Sequence, residues 1–247
     1  MRSALKSFLK TGGQDNLHTF RVQVKKLRAF LILMDSSGNK EQLEQHFKPV
    51  RKVFKKAGDI RNAHINLELA KEYGIINDDF VLAQSKLLEE AANEFKQKGE
   101  KYLEKIKAAY AAIEGEISPV SNLHINRYYT DQLHWTANSL SEIRFDDSLH
   151  RCRSTIKILI YNYKFTGPSL EIPFNEDYLQ DVQSAIGDWH DNILAKELFA
   201  GLELNDKAIL ARINKRHAKL ERSIQNLIKD FYNQATTVTE LAIEQLS

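Results

Sequence analysis

The sequence has few residues of the kinds that end strands or cross-link loops. Among its 247 residues are 10 glycines, 4 prolines and a single cysteine, Cys152. One cysteine excludes an intrachain disulfide and a zinc site built from cysteines. With so few glycines and prolines, the chain lacks the turn-forming residues that a β-rich fold uses frequently. The lack of disulfides also makes a reducing cytoplasm the expected compartment.

Long apolar stretches are missing as well. No apolar run approaches the roughly 20 residues that cross a bilayer, and the opening MRSALKSFLKTGG lacks the apolar core of a signal peptide. The hydrophobic fraction of 43% and the charged fraction of 28% are typical of a folded globular chain and unlike a disordered one. The length suffices for one large domain or two small ones. We therefore expect a cytoplasmic globular protein without a membrane segment.

The chain also lacks the motifs of nucleophilic catalysis. It contains neither a glycine-rich phosphate loop nor a nucleophile elbow. The adjacent pair His190-Asp191 is of a kind found in metal-dependent phosphohydrolases, but such a site needs several further His and Asp ligands. Four other histidines lack the spacing that would support it: His64, His124, His134 and His217. We expect no catalytic residue, no metal and no cofactor.

Helical periodicity runs along nearly the whole chain. Leu17, Phe20, Val24, Leu27 and Leu31 recur at steps of three and four residues, which predicts a helix with one buried face. The same step runs through three other segments: 80–113, 123–143 and 209–231. Because no segment shows the alternation typical of strands, the sequence predicts an all-α fold.

Breaks in this periodicity fall at small or turn-forming residues, which are the usual sites of helix ends. The predicted breaks are Ser36-Ser37-Gly38, Gly58, Gly74, Ser118-Pro119, Gly167-Pro168, Gly187 and Gly201. They divide the chain into about eight to ten helices, some of them longer than the average helix of a globular protein.

The net charge of +2 conceals an uneven distribution. Residues 18–61 hold eleven Lys or Arg against four acids, whereas residues 62–117 hold seven against eleven. Residues 205–229 are basic again, with seven against two. Because a chain that is nearly neutral overall concentrates positive charge in two segments, we expect an anionic ligand or partner there.

The basic residues of the first segment form a stripe on one helix. At about 100° per residue, His18, Arg21, Lys25 and Arg28 fall together along the edge of the apolar face, and residues 16–34 contain no acid. Cations stacked at steps of three and four residues repel one another. The stripe is therefore expected either to hold an anion or to face acids on another helix.

The stripe recurs in the second half of the chain. The segment LHTFRVQVKKLRAF at 17–30 aligns with LHRCRSTIKILIYN at 149–162. The alignment pairs His18 with His150, Arg21 with Arg153, Lys25 with Lys157 and Leu27 with Leu159. Each half therefore presents a His-x-x-Arg-x-x-x-Lys stripe on a predicted helix.

A second pair of segments repeats downstream in the same order. VFKKAGDIRNAHI at 53–65 aligns with VQSAIGDWHDNIL at 182–194, and this alignment places Gly58 opposite Gly187. Two motifs in the same order and at nearly the same spacing predict an internal repeat. The chain is therefore expected to consist of two related helical halves. Their predicted bounds are 1–117 and 118–247.

The pattern H-x-x-R-V-x-x-K-K-L-R, followed by a helix ending in Gly-x-x-Arg-Asn and then repeated, resembles the CHAD family, the conserved histidine α-helical domain. The resemblance covers the chain from about Asp15 to the final helix. It implies two four-helix bundles related by a pseudo-twofold axis, with the basic stripes facing a central groove. It also implies binding of inorganic polyphosphate without catalysis.

The resemblance and the basic stripes together mark the expected polyphosphate ligands. In the first half these are His18, Arg21, Lys25, Lys26, Arg28, Arg51, Lys55 and Arg61. In the second half they are His150, Arg153 and Lys157. A further stripe on the last basic helix either lines the groove or forms a solvated face: Arg212, Arg216 and Lys219. The second half has fewer cations, because isoleucines at 158 and 160 replace two of them.

Other interpretations of some of these residues stay open. His18 and His150 are also explained by half-buried rings that bond a neighbouring helix, and Arg61 by a pair with Asp59 or by a helix cap. One alternative function is that of a nucleic-acid-binding helical protein, although no aromatic residues interleave with the basic stripe. The other is the metal-dependent phosphohydrolase based on His190-Asp191.

Overall fold

Most of the described chain is helical. The computed structural model describes residues 1–38, 42–74, 77–201 and 207–237. In these ranges the chain forms ten α-helices and no β-strand, which confirms the predicted all-α class. None of the helices in the same ranges is both long enough and apolar enough to cross a membrane. Two compact units follow one another, Met1–Pro119 and Val120–Ser247.

The first unit is built around one long helix. Its described helices are α1 (Arg2–Thr11), α2 (Gln14–Asp35), α3 (Gln42–Tyr73), α4 (Asp78–Gln97) and α5 (Gly99–Glu114). α3 packs against α2, α4 and α5, and α1 lies against α2 and α5. The helices α2 and α3, which carry the first basic segment, are therefore in direct contact.

The buried face of α2 is the one that the periodicity predicts. Leu17, Phe20, Val24 and Leu31 are almost completely buried, and Leu27 packs against the same core from its edge. Because these positions recur every three to four residues, they share one side of the helix and leave the basic residues on its flank. Burial of the apolar side thus decides where the cationic side chains stand.

The first helix, α1, has no counterpart among the segments predicted from periodicity. It buries Leu5 and Phe8 completely, and the Phe8 ring lies nearly perpendicular to that of Phe95, with centroids 5.7 Å apart. Gly12 ends the helix in the left-handed conformation, with φ of 72°, and its N–H donates to the Phe8 carbonyl. A helix of 10 residues completes fewer than three turns, which is too little for the pattern to identify it.

Asp35, the last residue of α2, also starts α3. Its Oδ1 accepts a hydrogen bond of 3.1 Å from the Leu43 amide, and its Oδ2 accepts one of 2.9 Å from the Glu44 amide. The first amides of a helix have no partner inside it, and a carboxylate there also complements the positive end of the helix dipole. One side chain therefore caps α3 and fixes its start beside the end of α2.

Two of the predicted helix breaks are wrong. Gly58 lies inside α3, and Gly187 lies inside α8 (Glu176–Gly201), and both helices continue through these residues. A glycine within a helix costs only about 1 kcal/mol relative to alanine, so a packing requirement can retain it there. The break between α4 and α5 at Lys98 was not predicted, because the apolar step continues across it.

The second unit centres on α8. Its described helices are α6 (Asn122–Ser141), α7 (Asp147–Thr166), α8 (Glu176–Gly201), α9 (Lys207–Leu227) and α10 (Phe231–Ala235), with a 3₁₀ turn at Gly167–Ser169. α8 packs against α7, α9 and α10, while α6 lies against α7 and α10. The repeated segments of the sequence thus fall on α2 and α3 in the first unit and on α7 and α8 in the second.

A buried tyrosine ties α6 to α7. Tyr129 is fully buried, its hydroxyl donates to the Leu159 carbonyl at 2.9 Å, and the same oxygen lies 2.7 Å from Thr166 Oγ1. Burial raises the pKa of Tyr129 above its ordinary range.

The single cysteine, Cys152, is buried on α7, and burial raises the pKa of its thiol. The thiol is therefore protonated and shielded at neutral pH.

Replacement of Asp35 tests the link between α2 and α3. Asp35→Ala removes the acceptors of two amides and is expected to lower the free energy of unfolding by about 1–2 kcal/mol. Asp35→Asn keeps one acceptor and should lose less. Urea unfolding followed by circular dichroism measures the change, with Asp15→Ala, an exposed acid in the first turn of α2, as the control. A loss for Asp35→Ala no larger than for the control would contradict the capping role.

Candidate functional site

The predicted ligands of the first half lie on two helices that pack together. α2 carries His18, Arg21, Lys25, Lys26 and Arg28, and α3 carries Arg51, Lys55 and Arg61. All are exposed except Arg21 and Arg61, which are partly buried. The structure thus places eight of the predicted binding residues on one pair of neighbouring helices.

Arg21 is attached to the backbone of α3. Its Nη1 donates a hydrogen bond of 2.9 Å to the carbonyl oxygen of Phe54, and its guanidinium carbon lies 4.2 Å from the centroid of the Phe54 ring. The carbonyl fixes one nitrogen, and the ring holds the group by its face, since a guanidinium stacks favourably on an aromatic ring. Arg21 therefore links α2 to α3 in addition to carrying charge.

The guanidinium reaches this carbonyl because Gly58 has no side chain. A Cβ atom on Gly58 would lie 3.1 Å from Arg21 Nη1, closer than ordinary van der Waals contact. Phe54 stands four residues before Gly58, so the helical hydrogen bond of its carbonyl comes from the Gly58 amide. The glycine thus leaves room for a second donor at a carbonyl that already accepts one bond.

Positive charges lie close together around Arg21. Burial lowers the pKa of Arg21, the charge of Arg61 lowers it further, and the carboxylate of Asp59 opposes both effects. Two guanidinium groups within electrostatic range repel each other, and an anion that binds beside them relieves the repulsion. The arrangement therefore favours an anionic ligand near the two arginines.

Two of the predicted ligands have carboxylate partners. Arg28 Nε lies 3.0 Å from Glu44 Oε1, and Arg61 Nη1 lies 3.5 Å from Glu68 Oε2. Arg61 therefore pairs with Glu68 rather than with Asp59, the partner that the sequence left open. Both pairs are partly exposed, and exposed ion pairs contribute little to stability. A ligand with a dense row of negative charges can compete with these carboxylates for both arginines.

Arg51 and Lys55 are cations without a carboxylate partner in the part of the chain that the structure describes. They lie one turn apart on α3, and both are exposed. Neither side chain makes a hydrogen bond or an ion pair within the described ranges. Because no counter-charge among the described residues has to be displaced, these two side chains are readily available contacts for an anion on α3.

The second unit repeats the arginine contact at the corresponding residues. Arg153 Nε donates a hydrogen bond of 3.0 Å to the carbonyl of Gln183, four residues before Gly187. A Cβ atom on Gly187 would lie 2.6 Å from Arg153 Nη2. The sequence repeat pairs these residues with Arg21 and Gly58. The aligned motifs are thus the same helix-to-helix contact, built twice.

Lys157 is held by the residue that also anchors Arg153. Its Nζ donates a hydrogen bond of 3.1 Å to Gln183 Oε1 and lies 5.6 Å from the centroid of the Tyr161 ring. Gln183 therefore accepts from Arg153 with its main chain and from Lys157 with its side chain. Both cations are partly buried, whereas the lysines of α2 are exposed. The stripe of the second unit is thus less open to solvent.

The two repeated histidines are exposed rather than half-buried, and one borders a cleft. The ring of His150 lies beside that of His190 on α8, with centroids 5.1 Å apart. Both rings line a cleft of about 860 Å³. The charged residues of its wall are Glu142, Asp146, Asp147 and Glu197 against Arg144 and Arg151. Because carboxylates outnumber arginines there, this end of the second stripe attracts a polyanion less than the acid-free stripe of α2.

α8 carries no cation at the positions that correspond to Arg51 and Lys55. In the register set by the two glycines, Arg51 corresponds to Gln180 and Lys55 corresponds to Ser184. Both of these α8 residues are exposed and uncharged. The positive charge available to a ligand is therefore greater on the α2–α3 pair than on the α7–α8 pair.

The basic stripe of α9 lies on exposed surface. Arg212, Arg216 and Lys219 are all exposed on the helix that packs against α8. Another side of α9 buries Ile213 and Ile224. A role of the three cations in ligand binding stays a prediction, and so does their alternative as a solvated face.

Among the described residues, no further metal ligands group with the pair His190-Asp191. His190 Nδ1 lies 3.8 Å from Asp191 Oδ1. His217 is engaged elsewhere, since its Nδ1 lies 3.1 Å from Asn192 Oδ1 and its Nε2 lies 3.2 Å from a glutamate on α9. In the ranges that the structure describes, no group of three His, Cys, Asp or Glu side chains could hold a metal ion.

The protein is all-α and contains a repeated basic motif on two helix pairs. In each pair an arginine that lies against a glycine joins the helices, and further cations stand beside it. The CHAD domain family matches residues 2–200. Because this match covers most of the chain, the chain belongs to that family. The match begins at α1 and ends before α9, so the cations of α9 lie outside it. No curated protein and no solved structure matches the chain.

Some residues that shape the site could not be found from local patterns. Glu44 and Glu68 neutralise two of the predicted ligands, but their pairing depends on how α3 lies beside α2 and on side-chain rotamers. Gln183 matches the family resemblance, but nothing in the sequence pairs it with Arg153 and Lys157. The two glycines did give a signal, because the repeat aligns them, although the periodicity assigned them to helix ends instead of to an arginine contact.

Removal of Arg21 and removal of Arg28 should affect stability differently. Arg21→Gln breaks a partly buried, charge-assisted hydrogen bond and is expected to lower the free energy of unfolding by about 1.5–3 kcal/mol. Arg28→Gln breaks an exposed ion pair and should cost less than about 1 kcal/mol. Denaturant unfolding of both variants and the wild type at neutral pH provides the comparison. Equal losses would show that the carbonyl contact of Arg21 adds nothing to stability.

Proposed function

We propose that this protein binds inorganic polyphosphate and does not transform it. The observation that carries the proposal is the set of cations on α2 and α3, in which Arg51 and Lys55 are exposed and have no carboxylate partner in the described ranges. Membership of the CHAD family supports it, because the family resemblance implies polyphosphate as the ligand. Most of the proposed contacts belong to the first unit, and the proposed contacts of the second unit include Arg153 and Lys157.

Polyphosphate has the charge pattern that these helices suit. It is a thin, flexible chain with a dense row of negative oxygens and no bases to read. Lysine and arginine bind phosphate oxygens through charge-assisted hydrogen bonds, and one guanidinium can contact two oxygens at once. Side chains one helical turn apart stand about 5–6 Å from one another, so successive cations meet successive parts of the chain. Many modest contacts then add up as condensed counterions are released.

The carboxylates of Glu44 and Glu68 fit the same proposal. In the free protein each holds one arginine of the predicted site, at distances of 3.0 Å and 3.5 Å. An exposed ion pair contributes about 0–1 kcal/mol, so a ligand with several charges displaces each carboxylate at small cost. The two acids therefore act as exchangeable counter-charges for the arginines before the ligand arrives.

The proposal is one of binding because the grouped side chains are cations. Arginine and lysine hold phosphate groups, whereas cleavage of a phosphoanhydride needs a positioned nucleophile or a metal-activated water. The hydrolase alternative depends on His190-Asp191, whose nearest imidazole nitrogen and carboxylate oxygen lie 3.8 Å apart. Phosphate release that requires Mg²⁺ or Mn²⁺ and is lost in His190→Ala would establish that alternative instead.

Affinity for polyphosphate should fall steeply as the salt concentration rises. In nucleic-acid complexes each phosphate contact adds roughly 0.7–0.9 to the slope of log affinity against log salt. A comparable contribution from each cation of α2 and α3 gives a slope of several units. Fluorescence anisotropy of end-labelled polyphosphate, titrated at increasing salt concentrations, measures this slope. A slope near zero would exclude a site with many phosphate contacts.

Competition with nucleic acids provides the control for ligand class. Single-stranded and duplex oligonucleotides, added at equal phosphate concentration, should displace labelled polyphosphate only weakly. For single strands the reason is that no aromatic side chains interleave with the basic stripe to stack bases. For duplexes it is that a double helix about 20 Å wide fits a row of helix side chains less well than a thin single chain does. Displacement by an oligonucleotide as effective as that by unlabelled polyphosphate would favour the nucleic-acid-binding alternative.

A further inference from the structure

One contact occurs twice in this protein, at residues that the sequence repeat aligns. Arg21 bonds the carbonyl four residues before Gly58, and Arg153 bonds the carbonyl four residues before Gly187. In both places a Cβ atom on the glycine would crowd the guanidinium, at 3.1 Å and 2.6 Å respectively. The recurrence of this contact in both units, although through different guanidinium nitrogens, indicates that each arginine requires its glycine.

The anchoring bond occupies only part of each guanidinium. In Arg21 it uses Nη1, and in Arg153 it uses Nε. Neither arginine makes another hydrogen bond in the described structure, and both side chains are partly exposed. An arginine carries five N–H donors in a rigid planar fork. Most donors of these two side chains are therefore still available to a ligand.

Anchoring changes how well an arginine binds an anion. A long, flexible side chain loses rotamer entropy when a ligand fixes it. An arginine that a helix carbonyl already holds has lost this freedom in the folded protein, and the Phe54 ring restrains Arg21 further. Preorganised donors therefore bind more tightly than mobile ones that make the same contacts.

We propose that Gly58 and Gly187 are positioning residues for phosphate binding. Each exposes a helix carbonyl that anchors an arginine, and the anchored arginine, Arg21 or Arg153, donates its remaining N–H groups to a phosphate of the ligand. The inference rests on the proposed function. A phosphate oxyanion is the matching ligand group, because the guanidinium fork contacts two of its oxygens at once. A lysine in the same place would provide a point charge without this fork.

The substitution Gly58→Ala tests the anchoring of Arg21 without changing the charge of Arg21. The added Cβ would come within 3.1 Å of Arg21 Nη1, and the guanidinium, as the flexible end of its side chain, can move away while the helix is kept. The charge stays, but its fixed position is lost. Affinity for polyphosphate should fall about 3- to 10-fold. Gly115→Ala is the matched control, because its Cβ would meet the nearest atom at an ordinary 3.7 Å, and it should leave affinity unchanged.

A double-mutant cycle tests whether Gly58 acts through Arg21. Arg21→Lys keeps the charge and removes the fork, so it should lower affinity by a similar factor. If the glycine acts only by positioning the arginine, Gly58→Ala should cause no further loss in the Arg21→Lys background. A general disturbance of the α2–α3 packing would instead lower affinity in both backgrounds, and the two effects would add. Additive effects would therefore overturn the positioning role.

The remaining outcomes distinguish this inference from the proposed function. Wild-type protein that does not bind polyphosphate would overturn the proposed function. Wild-type protein that binds, together with a folded Gly58→Ala variant that binds equally well, would overturn the positioning role alone. If circular dichroism shows that Gly58→Ala does not fold, Arg21→Lys decides by itself. A reduced affinity would then support the anchored fork, and an unchanged affinity would overturn it.

Discussion

The packing of a guanidinium against a glycine on the neighbouring helix connects the sequence repeat, the helix pairs and the candidate site. It needs an arginine on α2 or α7, a glycine on α3 or α8, and the carbonyl four residues before that glycine. Side chains three residues before the arginine and four after it lie on the same side of its helix. His18 and Lys25, and likewise His150 and Lys157, occupy these positions. The repeated His-x-x-Arg-x-x-x-Lys pattern thus surrounds one contact that joins two helices.

The all-α class and the buried face of α2 could be predicted because both depend on a local pattern, the recurrence of apolar residues every three to four positions. The breaks at Gly58 and Gly187 were wrong for a physical reason. A glycine that ends a helix and a glycine that admits a guanidinium are alike in a single sequence, and only the partner on the other helix distinguishes them. The cap of α3 by Asp35 also joins two helices, so no local pattern reveals it.

The sequence predicts which residue types form the site and which helices carry them. It does not predict which of these cations bond to a neighbouring side chain. The stripe and the repeat place the cations on pairs of packed helices. Which side chain each cation bonds depends on its rotamer and on how the helices pack. Arg28 and Arg61 have carboxylate neighbours, while Arg51 and Lys55 have none in the described ranges. Lys157 is bonded by Gln183. The two units therefore share a scaffold and differ in available charge, as expected if one copy of a duplicated motif lost cations that the other kept.

Arg51 and Lys55 are the residues on which polyphosphate binding should depend most directly, and the corresponding Gln180 and Ser184 on α8 provide the matched test. The decisive measurement is calorimetric titration with polyphosphate, at one low salt concentration, of the wild type and two double variants with unchanged melting temperatures. We predict that Arg51→Glu with Lys55→Glu lowers affinity about tenfold or more, and that Gln180→Arg with Ser184→Lys raises it. Wild-type affinity in the folded Arg51→Glu, Lys55→Glu protein would contradict polyphosphate binding by α3.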